Sequence, residues 1–245
     1  MWFQKSVNLA KVAYIGTFIV SAIAIIGLQS DRYQRVAEEI ANPDYLEQEQ
    51  ELQTALNLRK VIPNFGFNNL FADSFYLGFV QYFGDETARK ATGYTLTTEY
   101  FEAIAKRDPQ FIKAYSTLSA ANSMYAGKAE ITVSLMAEIL TANPDKSKDT
   151  YLLWTLKGMD ETIFLGDTQA AQNSYLQAAK IASKHPHSNS EIVAFNQKRA
   201  RHLATNPDTT EAQIIAWKSV LSNVVKEEEK QEIRDRLAAL EAKQD

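Results

Sequence analysis

The chain has 245 residues, 45% hydrophobic and 23% charged, with a formal net charge of −4, no cysteine, six prolines and nine glycines. This balance describes a folded chain rather than a disordered one, and it offers no surplus of Lys and Arg to neutralise the phosphates of a nucleic acid. Disulfides, thiolate-held zinc or iron–sulfur clusters, thiol catalysis and lipidated cysteines are excluded, and the scarcity of proline and glycine favours long helices over a sheet with many turns.

Residues 1–11 form a short tail, and residues 12–30 (VAYIGTFIVSAIAIIGLQS) are the only long uncharged run, bounded by Lys11 and Asp31. As a helix, this run would be roughly 28 Å long, close to the ~30 Å hydrocarbon thickness of a bilayer. We therefore expect a transmembrane anchor. Lys5 and Lys11 also precede the run as they would in a secretory signal, but a cleaved signal ends in small residues at the far edge of the apolar stretch. Here that edge is Ile25-Ile26-Gly27-Leu28-Gln29-Ser30, and Ala22-Ile23-Ala24 lies inside the apolar core, so the anchor is expected to stay uncleaved. Trp2 and Phe3 suit the interfacial zone, and Lys5, Lys11 and the chain amine against Arg32 and Arg35 tip the orientation towards a cytoplasmic N-terminus with the bulk exported. The expected setting is a bacterial-type inner membrane, or a photosynthetic or respiratory one.

Residues 31–63 read as a helical linker region: Asn42-Pro43-Asp44 stops one short helix and Tyr45 to Lys60 forms the next. From 64 to 245 helix-period patterns recur between prolines, which remove a backbone donor and disfavour helix in the residue before them. Phe71, Phe75, Phe79 and Tyr82 share one stripe, and Tyr100, Phe101 and Ile104 mark a helix ended by Asp108-Pro109. Phe111, Tyr115, Leu118 and Tyr125 follow, then Ile131, Leu135 and Ile139, closed by Asn143-Pro144-Asp145. Leu152, Leu156, Met159 and Ile163 make a face, and Ala171, Tyr175, Ala178 and Ala182 precede His185-Pro186. Phe195 and Leu203 lie on a helix stopped by Asn206-Pro207-Asp208, Ile214, Trp217, Leu221 and Val224 share a stripe, and Ile233, Leu237 and Leu240 form the last. No segment alternates with the two-residue period of a strand, so the predicted class is all-α.

Pro109 and Pro144 lie 35 positions apart, near the period of about 34 residues of tetratricopeptide units. Between them Leu118, Ser119, Gly127, Thr132, Ile139 and Pro144 resemble that family's pattern in order, and Trp154, Gly158, Gly166-Asp167, Ala171, Ala178 and Pro186 repeat it. The resemblance is clearest over about residues 111–184. Leu77-Gly78 is a candidate start of an earlier unit with Asp85 to Gly93 inserted, and the pair from Ile192 onward lacks the turn glycine. The resemblance implies a right-handed stack of three to four helical hairpins; the alternative is an irregular helical bundle. It also implies an inner face lined by the first helix of each hairpin, here Lys113 to Ala126 and Tyr151 to Leu165, where polar positions such as Asn122, Lys157 and Glu161 would be exposed to bind a protein segment.

Other candidates have plainer readings. The aromatic stretch 64–83 is read as core before it is read as a surface near the bilayer. His185-Pro186-His187 lacks a third ligand nearby, so no metal site is expected, and no cofactor or small-molecule motif is present. Asp160 and Glu161 are neighbours about 100° apart on one helix, which places them as a solvated face rather than an acid–base pair. Lys226 to Lys230 with Glu232, Arg234, Asp235 and Arg236 predicts an exposed terminal helix supported by Glu232–Arg236 at i, i+4. The functional expectation is a membrane-anchored, non-catalytic scaffold that binds a membrane-associated protein partner in the assembly or maintenance of a membrane complex. The alternative is an accessory subunit packing through Gly16, Ser21, Ala22 and Ala24 of its span.

Overall fold

The computed structural model describes residues 43–143, 149–184 and 190–244, with positions 17, 18, 20, 21, 23–30 and 32, and the chain divides into two units, Met1–Gln48 and Glu49–Asp245. In the first unit the described positions between 17 and 30 are helical (α1) and all exposed. Phe18, Ile23, Ile26 and Leu28 lie on different sides of this helix and are 64–75% exposed. The rest of the expected anchor lies outside the described residues, as does the short helix expected before Asn42. Among the described residues no helix is long and apolar enough to cross a membrane. Asp44 opens α2 (Tyr45–Val61) by accepting from the backbone N–H groups of Leu46 and Glu47 at 3.1 and 3.0 Å, which satisfies two donors that a helix start leaves without a partner.

Every described element of the second unit is a helix, and no strand occurs among the described residues. After α2 come α3 (Asn68–Gly84), α4 (Glu86–Thr92), α5 (Thr97–Arg107) and α6 (Ile112–Tyr115), which leads into a π-helical turn, Ser119–Tyr125. Then follow α7 (Ala129–Ala142), α8 (Thr150–Asp160) with a second π-helical turn, Glu161–Leu165, and α9 (Thr168–Ser183). Helices α10 (Ser190–Leu203), α11 (Thr210–Asn223) and α12 (Glu227–Glu241) complete the chain. The segment 85–93, expected as an insertion, is mostly α4, begun by the Asp85 carboxylate accepting from the Ala88 N–H at 3.0 Å.

The aromatic stripe is core. Phe75, Phe79 and Tyr82 are buried and Phe71 half-buried, with the Phe79 ring centre 4.6 Å from that of Phe101 of α5 and the two rings tilted by 54°. Tyr115, Leu118, Met136, Ile139 and Leu153 extend this core through the middle helices. A second core gathers Phe164, Trp217, Val220, Ile233, Leu237 and Leu240, where the Trp217 indole N–H donates to the Phe164 carbonyl at 3.1 Å. The face read as Leu152, Leu156, Met159 and Ile163 is only half-buried; Leu153, at 1% exposure, is the side chain of that helix that enters the core.

Two helix pairs turn at glycine. Gly127 and Gly166 have φ of +68° and +67°, the left-handed region in which a side chain is strained. Each glycine follows a π-helical turn: the Ala126 N–H bonds the Ala121 carbonyl, five residues back, at 3.2 Å. In the second pair the helices touch where side chains are small. A Cβ on Gly158 would stand 3.1 Å from the Tyr175 ring and 3.3 Å from the Ala171 carbonyl.

On α12 the expected Glu232–Arg236 pair is replaced. Arg236 instead reaches Glu130 of α7 at 2.5 Å and lies 4.2 Å over the Trp217 ring, because Ile233, Leu237 and Leu240 turn one side of the helix to the core and bring Arg236 to its edge. Glu227 pairs with Arg234 at 2.7 Å.

Candidate functional site

The residues expected on an exposed inner face are internal. Asn122 is fully buried, Glu161 is 2% exposed, and the Lys157 side chain is 12% exposed. Asn122 accepts from the Thr98 hydroxyl of α5 at 2.7 Å and donates its amide to the Thr132 hydroxyl of α7 at 2.9 Å, so it ties three elements together. The Thr132 hydroxyl in turn donates to the Lys128 carbonyl at 2.8 Å. Lys157 pairs with Glu161 one turn on and lies 3.3 Å from the Ser174 hydroxyl, which donates to the other Glu161 oxygen at 2.6 Å.

Asp160, expected on a solvated face, has no exposed surface. Its two oxygens accept from the hydroxyls of Ser119 and Ser123, each at 2.6 Å. Burial pushes its pKa from 3.8 up to about 6, the neighbouring Glu161 charge adds to the rise, and the two serine hydrogen bonds hold it back. The adjacent acids point apart, as the helix geometry requires. Each finds donors on a different partner, Asp160 on the preceding helix pair and Glu161 on α8 and α9. The available sequence signal was Ser119 and Ser123 at i, i+4, small hydroxyls on the same turn as buried Ala121 and Asn122.

A second polar cluster fixes α2. Glu49 pairs with Arg89 at 2.8 Å and accepts from the hydroxyls of Thr92, at 3.0 Å, and Thr95. The Tyr82 phenol donates to Glu49 at 3.0 Å and accepts from the Leu96 N–H at 3.1 Å. The Arg89 guanidinium, 3.7 Å from the Tyr82 ring centre, also donates to the Gly93 carbonyl at 2.6 Å. Burial alone would raise the Glu49 carboxyl, but the hydrogen bonds from Arg89 and Thr95 and the Arg89 charge bring it below its ordinary value. Tyr82 is raised by burial. This network ties Glu49 of α2 to α3, α4 and the turn that follows α4.

An open groove of about 470 Å³ lies between α2 and α3. Its walls are Leu70 and Leu77, its polar groups Arg59, Asp73, Ser74 and Gln81, and Gly78 lies at its base. Arg59 donates to the Ser74 hydroxyl and lies 4.9 Å from the Phe75 ring centre. A Cβ on Gly78 would come within 3.2 Å of the Tyr100 ring, so the glycine lets α3 and α5 close beneath the groove. Leu77 and Leu70 are 63% and 64% exposed, apolar surface in a concavity that also offers an anion, a cation and neutral hydrogen-bonding groups.

No group of three or more metal-ligating side chains that could hold an ion occurs among the described residues; His185 and His187 lie outside them. Comparison with known proteins supplies no relative: no protein-family model matches the chain, nor does any curated protein or solved structure.

Proposed function

We propose that the chain is a membrane-tethered, non-catalytic helical scaffold that holds a protein segment in the groove between α2 and α3, in the assembly or maintenance of a membrane protein complex. The groove carries the reading: two exposed leucines face a concavity of about 470 Å³ in which one cation and one anion supply direction. An amphipathic helix or extended segment with an apolar anchor fills such a site. Asp160, the carboxylate that burial raises, is closed to solvent, which favours a structural role for it over a chemical one. The exposed apolar residues of α1 support the anchor over 12–30, and tethering raises the effective concentration of the groove near membrane-embedded partners. The two glycine-turned helix pairs support the tetratricopeptide-like arrangement, with the partner surface moved from Asn122, Lys157 and Glu161 to the groove.

Leu77→Glu places a charge on the groove wall at an exposed position. Isolated in mild detergent from its own membranes, the tagged wild-type chain should retain partners that the variant loses, with helicity unchanged; equal recovery refutes the groove as the binding site. The accessory-subunit reading draws on the same exposure of α1. Exchange of residues 12–30 for an unrelated apolar span leaves a tethered scaffold functional and removes an integral subunit from its complex.

A further inference from the structure

We propose that the tip of the α2/α3 hairpin, residues 61–67, inserts into the interfacial zone of a lipid bilayer and forms a second membrane contact. The inference rests on the tethered reading for the nearness of a membrane; the geometry of the tip carries the rest. No charged residue occurs between Lys60 and Asp73. Val61, Phe65 and Phe67 are 75%, 81% and 62% exposed, and Ile62 38%. Phe65 is held at φ +48°, followed by Gly66 at +89°. A bulky residue rarely adopts this backbone region, and outliers of this kind cluster at functional sites.

Several polar groups of the tip are paired from within. The Phe67 N–H donates to the Asn64 carbonyl at 2.7 Å and the Gly66 N–H to the Asn64 side-chain oxygen at 3.3 Å. The Asn64 amide donates to Asn68, and the Phe71 N–H to the Phe67 carbonyl at 3.2 Å. The carbonyls of Lys60 and Ile62, left open by the end of α2, accept from Arg107 at 3.0 and 2.9 Å. These bonds lower the cost of carrying the tip's backbone towards a low-dielectric phase, and the first N–H groups of α3, which have no side-chain cap, face the water and headgroups of the interfacial zone. Arg107 also lies 5.1 Å from the Phe71 ring centre, a fixed cation at the base of an uncharged aromatic tip. That order, aromatic and aliphatic groups beyond a cation, matches the interfacial zone with its phosphates above it.

A rigid protein partner needs about 800 Å² per side for a stable interface. Four side chains around one turn suit a fluid phase that closes around them. The covalent path permits the contact: residues 31–44 span at most roughly 50 Å, and the 17 residues of α2 add about 25 Å.

The chain has no cysteine, so single reporters can be placed without removing any. Spin labels at Phe65→Cys, Phe67→Cys and, as reference, Ser219→Cys are compared in the full chain reconstituted in phosphatidylcholine vesicles, by collision with oxygen and with a water-soluble nickel chelate. The inference expects labels at 65 and 67 to meet oxygen several-fold more, and nickel several-fold less, than the label at 219, unchanged when the protein is diluted in excess lipid. Nickel access at 65 and 67 equal to that at 219 overturns it. Shielding that disappears on dilution also overturns it, in favour of a second copy of the chain. Carbonate washing separates the two readings. A chain that resists extraction with water-exposed tips retains the tether and loses this contact; an extracted chain whose tips were shielded loses the tether and retains it.

Discussion

Replacing Asp160 by asparagine tests the buried acid cluster directly. In the folded chain this carboxyl titrates near pH 6 instead of 3.8, so the native state binds its proton more tightly than the unfolded chain does. Stability from this group is fully present below the unfolded value and is lost as pH rises through about 6. The gap between 3.8 and about 6 is worth about 3 kcal/mol at 1.36 kcal/mol per pKa unit. Carboxylates held below their ordinary values, Glu49, Glu86 and Glu227 from 4.5 and Asp208 from 3.8, act in the opposite sense and lose their contribution only as pH falls below those ordinary values. Asparagine keeps the shape of the side chain and removes the charge. One serine hydroxyl can turn to accept from the amide, with an amide hydrogen left short of a partner at a cost of about 1–2 kcal/mol. Asp160→Asn should therefore be about 1–2 kcal/mol more stable than wild type near pH 7. Its stability should stay level where that of the wild type falls. Denaturant unfolding followed by far-UV circular dichroism, in one detergent from about pH 5 to 7.5, measures both. A wild-type stability that is level or rises across that range refutes the assignment, as does a variant that keeps the wild-type slope.

Gly166→Ala should cost about 1–2 kcal/mol for the left-handed backbone; its Cβ would stand 2.4 Å from the movable end of the Gln213 side chain, so thermal melting should show the same loss in a Gln213→Ala background. Arg89→Met strands the Glu49 carboxylate beside Tyr82 and should cost about 3–5 kcal/mol in denaturant unfolding. Because the Glu49 carboxyl is held below 4.5, the contribution of that pair should persist above that pH and fade as acid is added. Trp217→Phe keeps the ring against Phe164 but leaves the Phe164 carbonyl without its 3.1 Å donor, and its unfolding midpoint should fall by the equivalent of about 1–3 kcal/mol.

Much of the helical order was legible because proline and glycine act locally. Asp108-Pro109 ends α5, and Gly127 and Gly166 turn the two middle pairs. The stripe of Phe75, Phe79 and Tyr82 and the stripe of Ala171, Tyr175, Ala178 and Ala182 were legible because burial on one helix face follows the 3.6-residue period. The polar interior was not. Charge and amide groups read as surface by default, and their burial depends on hydroxyls supplied from other helices: Ser119 and Ser123 for Asp160, Thr98 and Thr132 for Asn122. The groove was hidden for a related reason. It depends on Arg59 of α2 reaching Ser74 of α3, a contact between helices; the sequence shows only that Leu70 and Leu77 lie off the stripe of Phe71, Phe75, Phe79 and Tyr82.

The π-helical turns before Gly127 and Gly166 have a consequence for how the chain tolerates change. Each inserts its extra residue into a single turn of helix, and one residue corresponds to about 100° of rotation. Deleting one residue between Ser119 and Ser123 would restore an ordinary helix but change their spacing, taking one of the two hydroxyls away from Asp160 and leaving its carboxylate short of a donor in the interior. Conservative replacements at the same sites would keep the phase. In these two short stretches residue count is a tighter constraint than residue identity.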